Sequence, residues 1–327
     1  MTAIGFVGLG AMGSQIAGRL LDGHQVYGTN RTPARAAALV ERGLIWRDTP
    51  REVAAAADVI FSMVTDDAAL EAITAGPDGI LAGLAPGRVY IDMSTVSPQA
   101  SQALATWVDA MGASMLDAPV SGSVPAAQDG TLTVLVGGRS DAFDAVEPLL
   151  RRIGTTVTHV GDNGQGLLVK LAINISLAAQ MLAFSEGVLL AQRGGVDPSL
   201  AVRAMAASAI GSPMLKARAP LVLDLPAQPW FDMQLMHKDI RLALDTGREL
   251  HVPLPSAAVS DDELARAEGL GYARRDIAGF FEALSRSDPR PAGEPGPAGE
   301  LGAAVPGAAE PVAAASGSAT GSRRIAP

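Results

Sequence analysis

Lys170 and Asn174 stand one helical turn apart in GLLVKLAINISLAAQMLAF (166–184), a stretch that is otherwise almost entirely apolar. Of the 25 basic residues in the chain only Lys170, Lys216 and Lys238 are lysine; the rest are arginine. Arginine keeps its proton in any protein environment, whereas a buried lysine can release it. A free lysine titrates near about 10.4, and burial, which disfavours the ammonium, lowers that value toward neutrality. Lys170 is therefore a candidate for proton transfer. Asn174 lies on the same helix face and would hold the lysine or a substrate hydroxyl without adding charge. The alternative is a lysine snorkelling from a helix edge.

A second group of residues suggests what the proton transfer accompanies. Gly8, Leu9, Gly10, Ala11, Met12 and Gly13 spell GLGAMG, a G-x-G-x-x-G pattern that follows the strand-like AIGFV and opens the helix-like SQIAGRLLDG. In that context the first glycine allows a tight turn and the second lets the backbone approach a pyrophosphate. The third allows close helix packing, and the helix N-terminus faces the negative charge. About 20 residues on, where an NAD site carries an acid for the ribose hydroxyls, the sequence reads TNRTPAR. Arg31 would fork onto a 2′-phosphate, with Asn30 and Thr32 donating beside it. NADP is the expected cofactor. Arg31 would also stack on an adenine, which leaves NAD open.

These residues need a frame. AIGFVGLG, HQVYGTN, DVIFSMV, RVYIDMS, SMLDAPV, LTVLVGG and TVTHVG read as strands, separated by Ala-rich, charge-spotted helical segments such as 33–42, 51–57 and 98–111. Strands alternating with helices make βαβ units on a parallel sheet. From about 164 the pattern becomes helical, with one long helix over 165–192 and further helices near 198–208, 233–250, 256–269 and 274–286. The expected fold is α/β, a Rossmann-type doubly wound parallel sheet (1–163) followed by an all-helical domain (164–287). Residues 288–327 are Pro, Gly and Ala with almost no large apolar side chain, a composition that cannot offset its ordering entropy. They read as a disordered tail.

Composition narrows the function. The chain has no cysteine, which excludes disulfides, thiolate catalysis and Cys-based metal sites. His24, His159, His237 and His251 show no metal-ligand spacing, so no metal is expected. A net charge of −9 argues against a nucleic-acid surface. No run of 18 uncharged apolar residues occurs, so no membrane span is expected. MTAIGFVGLGAMG lacks a basic segment ahead of its apolar part and reads as a strand, not a signal peptide. A soluble cytoplasmic protein fits these features.

With the motifs in this order the chain resembles the β-hydroxyacid dehydrogenases, the family of 3-hydroxyisobutyrate dehydrogenase, over about residues 3–286. The resemblance rests on GFVGLGAMG, DMSTVSP (92–98), DAPVSGS (117–123) with GTLTVLVGG (130–138), GQGLLVKLAIN (164–174) and HKDIRLAL (237–244). AFSEGVLLA, SPMLKARAP and MHKDIRLAL look most like the glyoxylate and succinic semialdehyde reductase branch. The resemblance implies Lys170 as the catalytic residue with Asn174 beside it. It places Thr95 by the nicotinamide and Met63 and Val64 along the cofactor. Ser121 and Gly122 would take the substrate carboxylate, and Lys238 would reach the cofactor or substrate. Ser123 stands where the family often has Gly, as in the reductase branch. The implied activity is hydride transfer between NADP and a small carboxylate-bearing aldehyde, keto acid or hydroxy acid, by a homodimer or homotetramer. A 3-hydroxyisobutyrate-type dehydrogenase and a non-catalytic NADP-binding scaffold are the alternatives. Imine reductases share the fold but generally lack the lysine kept here at 170.

The composition of the tail makes one expectation testable. Deleting residues 290–327 should leave the thermal midpoint and turnover unchanged. A midpoint loss of more than a few degrees would show that the segment packs on the body.

Overall fold

The computed structural model describes residues 2–286. The expected disorder of 288–327 therefore lies outside the described residues.

A mostly parallel sheet occupies the first half. Its strands are β1 (Ala3–Val7), β2 (Gln25–Thr29), β3 (Ile45–Trp46), β4 (Val59–Ser62), β5 (Val89–Asp92), β6 (Ser114–Asp117), β7 (Val120–Ser121), β8 (Leu132–Gly138) and β9 (Gly154–Gly161). Their spatial order is β3-β2-β1-β4-β5-β6-β8-β7, with β9 also pairing with β8. Strands β1 to β6 pair in parallel, and β8 runs antiparallel to β6 and β7. β4 is buried along its whole length, as expected for a strand covered on both faces. Phe61 and Ile91 point into one apolar cluster, Ile60 and Tyr90 into a second on the other face. The strands expected from sequence are present. The two-residue β3 and β7 are too short for alternation to reveal.

The order reverses between β1 and β4, because the chain leaves β1 in one direction for β2 and returns on its other side for β4. In such sheets the crevice beyond the carboxyl ends of these strands receives ligands. The glycine loop, Met63 and Thr95 follow β1, β4 and β5 at that edge.

The helical half begins with Gln165–Arg193, 29 residues long. By length and hydropathy this helix could cross a membrane, a point the charge-based expectation passed over. Here it packs against β8 and against the helices Pro198–Ala207, Met233–Glu249, Pro255–Gly269 and Phe280–Ser285. Its buried Leu167, Lys170, Leu171, Asn174, Ala178 and Met181 follow the three-four spacing of one face. The expected helix over 274–286 is shorter. Asp276 stands outside it as a cap, followed by a tight turn at Ile277–Gly279 and then Phe280–Ser285.

One carboxylate joins the two halves. Asp117, at the end of β6 and fully buried, accepts from the backbone N–H of Gly164 at 2.7 Å and of Leu167 at 3.0 Å. It thus satisfies donors that the start of the long helix leaves free. Burial raises its pKa, and the backbone N–H groups of Gly164 and Leu167 oppose that shift. Asp117→Ala removes a helix cap and leaves buried donors unpaired. It should lower the unfolding free energy by about 2–4 kcal/mol, read by urea denaturation. A loss below about 1 kcal/mol would show that the junction does not depend on this side chain.

Candidate active site

The turn after β1 is built as a dinucleotide loop requires. Gly8 has φ +98°, and a Cβ there would lie 2.3 Å from the Met63 carbonyl oxygen. At Gly13 a Cβ would lie 2.1 Å from the Gly8 carbonyl oxygen, whereas beside Gly10 nothing stands within 4 Å. The loop is therefore closed on its inner side and open where a ligand would approach. No side chain caps the helix Ala11–Leu20 that follows, so its first N–H groups are available to an anion. Asn30 braces the loop: its Oδ1 accepts from the Leu9 N–H at 3.0 Å and its Nδ2 donates to the Thr32 carbonyl at 3.0 Å. This bracing uses the carboxamide oxygen and one of its two N–H groups, so the second N–H is still open to the expected phosphate contact. Arg31 and Thr32 are exposed beside it.

The loops after β4 and β5 are tied by another buried carboxylate. Asp92 Oδ1 accepts from Ser62 Oγ at 2.6 Å and from Ser94 Oγ at 2.7 Å, while Ser94 Oγ accepts from the Val64 N–H at 2.9 Å. Burial raises the Asp92 pKa to about 6, against the hydrogen bonds from Ser62 and Ser94. Met63, Val64 and Thr95 line a compartment with Gly10, Met12 and Gly13.

Lys170 and Asn174 lie on the wall of an adjoining compartment, with Ser121 and Gly122. Lys170 Nζ donates to Asn174 Oδ1 at 2.9 Å, and Asn174 Nδ2 donates to Asp239 Oδ2 at 2.6 Å. Asp239 Oδ1 is 2.7 Å from Lys238 Nζ, which also donates to the Thr95 carbonyl. The chain of contacts therefore runs from the long helix through the Met233–Glu249 helix to the loop after β5. Lys170 is 9% and Asn174 0% exposed, which sets aside the snorkelling alternative. Burial lowers the Lys170 pKa, Asp239 opposes the shift, and the neighbouring Lys238 adds to it.

Gly122, with φ +132°, would bring a Cβ within 2.6 Å of Leu132 Cδ2, so the turn after β7 needs glycine. The remaining wall comes from the helical half. Trp230 and Phe231 border both compartments. Asp276 Oδ2 accepts their backbone N–H groups at 2.8 and 3.1 Å, and its Oδ1 accepts from Arg218 Nη1 at 2.6 Å.

The structure thus gathers Gly10, Ala11, Met12, Gly13, Met63, Val64, Thr95, Ser121, Gly122, Lys170, Asn174 and Lys238 around two joined compartments. Gly8 and Leu9 lie beneath the loop, and Asn30, Arg31 and Thr32 lie beyond the lining. Sequence reasoning missed Asp239, Trp230, Phe231 and Arg218. Asp239 and Arg218 were within reach, being the acid inside HKDIRLAL and the second cation inside SPMLKARAP; Trp230 and Phe231 sit in a segment without a readable period.

Known proteins resemble this chain along both halves. Residues 3–161 match the family model of the NAD binding domain of 6-phosphogluconate dehydrogenase. Residues 164–284 match the model described as NAD-binding of NADP-dependent 3-hydroxyisobutyrate dehydrogenase. The chain is 35% identical to 2-(hydroxymethyl)glutarate dehydrogenase of Eubacterium barkeri, covering 84% of this chain and 92% of that one. It is 32% identical to the chloroplastic glyoxylate/succinic semialdehyde reductase 2 of Arabidopsis thaliana, covering 89% and 81%. The 3-hydroxyisobutyrate dehydrogenase of Mycobacterium tuberculosis, solved with L-serine, aligns with a TM-score of 0.77 at 27% identity, covering 88% and 100%. Likeness of this extent, carried by the sheet and the helices alike, makes the chain a member of the β-hydroxyacid dehydrogenase family of NAD(P)-dependent oxidoreductases.

Proposed function

We propose that this member of the family is an NADP-dependent reductase of small oxo acids of the glyoxylate and succinic semialdehyde type, acting reversibly on the matching hydroxy acids. The observation that carries the reading is Lys170: a buried ammonium with a lowered pKa, held by Asn174 on the wall of the compartment that adjoins the glycine-loop compartment.

A nicotinamide cofactor, when bound, supplies or accepts the hydride. Lys170 Nζ gives a proton to the substrate oxygen in reduction and takes it back in oxidation. Asn174 aims Nζ, and Asp239 fixes the carboxamide of Asn174 so that its oxygen faces the lysine. Ser121 Oγ and the Gly122 N–H orient the substrate carboxylate. Trp230 and Phe231 close the cleft against water. Arg31 is exposed at the end of β2 and holds no ion pair among the described residues, so its guanidinium is available to a 2′-phosphate. The same groups would serve oxidation of a 3-hydroxyisobutyrate-type acid, a reading favoured by the likeness to the Mycobacterium tuberculosis structure. The purified protein should be assayed with glyoxylate and succinic semialdehyde under NADPH and NADH, and with 3-hydroxyisobutyrate under both oxidised cofactors. Turnover of the hydroxy acid alone would move the assignment to that reading, and no turnover with any of them would refute it.

Lys170→Arg should lower kcat by at least about 100-fold, because arginine does not release its proton and its longer head displaces the donor. NADPH binding, read by fluorescence titration, should be nearly unchanged. Retention of more than a tenth of wild-type kcat would remove Lys170 from the proton step. The lowered pKa also sets the pH dependence. Reduction needs the ammonium, so its kcat falls as pH rises through a value below that of free lysine. Oxidation needs the amine and falls as pH drops through the same value. A pH profile without that break in the wild type would contradict the assignment.

Arg31→Asp should shift the kcat/KM preference from NADPH toward NADH by roughly 10- to 100-fold, the worth of one charged hydrogen bond. An unchanged preference would exclude Arg31 from cofactor choice.

A further inference from the structure

Arg218 is 5% exposed and borders the compartment that holds Lys170 and Ser121. Burying a guanidinium is costly unless its donors are used. One of them is used: Nη1 donates to Asp276 Oδ1 at 2.6 Å. Asp276 scarcely needs this bond, since its two oxygens also accept from the N–H groups of Trp230, Phe231 and Ala278. A guanidinium carries five N–H groups. Among the described residues the others have no protein partner, yet neither Nε nor Nη2 is sealed from the surface. The guanidinium carbon stands 5.7 Å from the centre of the Trp230 ring, which holds the head in place from one side. A cation is thus fixed at a cavity wall with donors to spare, in a compartment whose other carboxylate-binding groups, Ser121 and Gly122, are uncharged.

We propose that Arg218 is the receptor for a carboxylate remote from the reacting carbonyl, and that it makes the site select ω-oxo acids over short 2-oxo acids. The proposal rests on the reductase reading above. A 2-oxo acid places its carboxylate next to the carbonyl, within reach of Ser121 and Gly122. A four-carbon ω-oxo acid, with its carbonyl at Lys170, carries its carboxylate two methylenes further along the compartment. Phe231 and Leu177 offer apolar wall to those methylenes, and the free edge of Arg218 offers a paired-donor seat to the carboxylate.

The test is the ratio of kcat/KM for succinic semialdehyde to that for glyoxylate, with NADPH, in the wild type, Arg218→Gln and Arg218→Lys. Glutamine can still bond Asp276 but has no charge, and the ratio should fall roughly 10- to 100-fold. Lysine keeps the charge without the fork, and the ratio should fall by an intermediate factor. A ratio that stays constant, whether both rates fall together or neither changes, makes Arg218 a structural brace and overturns the proposal. If Arg218→Gln does not fold, the Arg218→Lys ratio decides alone by the same criterion. A wild type that reduces neither aldehyde sinks the reductase reading and this proposal with it. A wild type that reduces both, with a ratio indifferent to residue 218, sinks this proposal only.

Discussion

The carboxylate of Asp117 sets the distance on which the site depends. It ends β6 and caps the long helix, so the strand and the helix start from one side chain. Ser121 and Gly122 come four and five residues after it along one path. Lys170 comes three residues after Leu167, whose N–H Asp117 accepts, along the other. Two segments separated by dozens of residues in sequence thereby face each other with a spacing set by two hydrogen bonds. The neighbours make room for it: a Cβ on Gly137 would lie 2.6 Å from Asp117 Oδ1, and one on Gly166 2.7 Å from Oδ2. The glycines in LTVLVGG and GQGLLVK are explained by this close approach as much as by any turn.

Asp92, Asp239 and Asp276 do similar work elsewhere in the cleft. Each is 0–2% exposed, and each binds groups that shape the cavity. Asp92 joins the ends of β4 and β5, Asp239 orients Asn174 and Lys238, and Asp276 holds the Trp230–Phe231 backbone together with Arg218. A buried carboxylate is tolerated when its lone pairs are taken. Asp92 meets that condition only in part, since its second oxygen has no hydrogen-bond partner, consistent with its raised pKa.

The sheet strands and the long helix were legible because period and length set them apart: AIGFV and VIFS cannot be surface segments, and 165–193 contains no proline. The glycine loop was legible because its three positions each meet a different steric demand. Lys170 stood out by composition, in a chain that otherwise writes Arg. The buried aspartates were not legible as supports, since an acid that caps a distant helix looks the same in sequence as one that faces water. Asn30 shows the limit from the other side. Its place at the end of β2 suggested a ligand contact, and nothing in the sequence disclosed that it also braces the loop through Leu9 and Thr32. Trp230 and Phe231 depend on a non-repetitive connection that only the fold brings to the cleft, and Arg218, though inside SPMLKARAP, gives no sign in sequence that it is buried at the cavity wall.

The scarcity of lysine has a practical consequence. Of the three lysine side chains, Lys170 and Lys238 line the two adjoining compartments, linked through Asn174 and Asp239, and Lys216 is exposed. Amine-directed isotopic methylation would therefore give a spectrum with very few signals, two of them reporting from the cleft itself. Lys216 would act as an internal solvent reference on the same molecule. The chain comes with its candidate site already set apart for magnetic resonance, without an introduced probe.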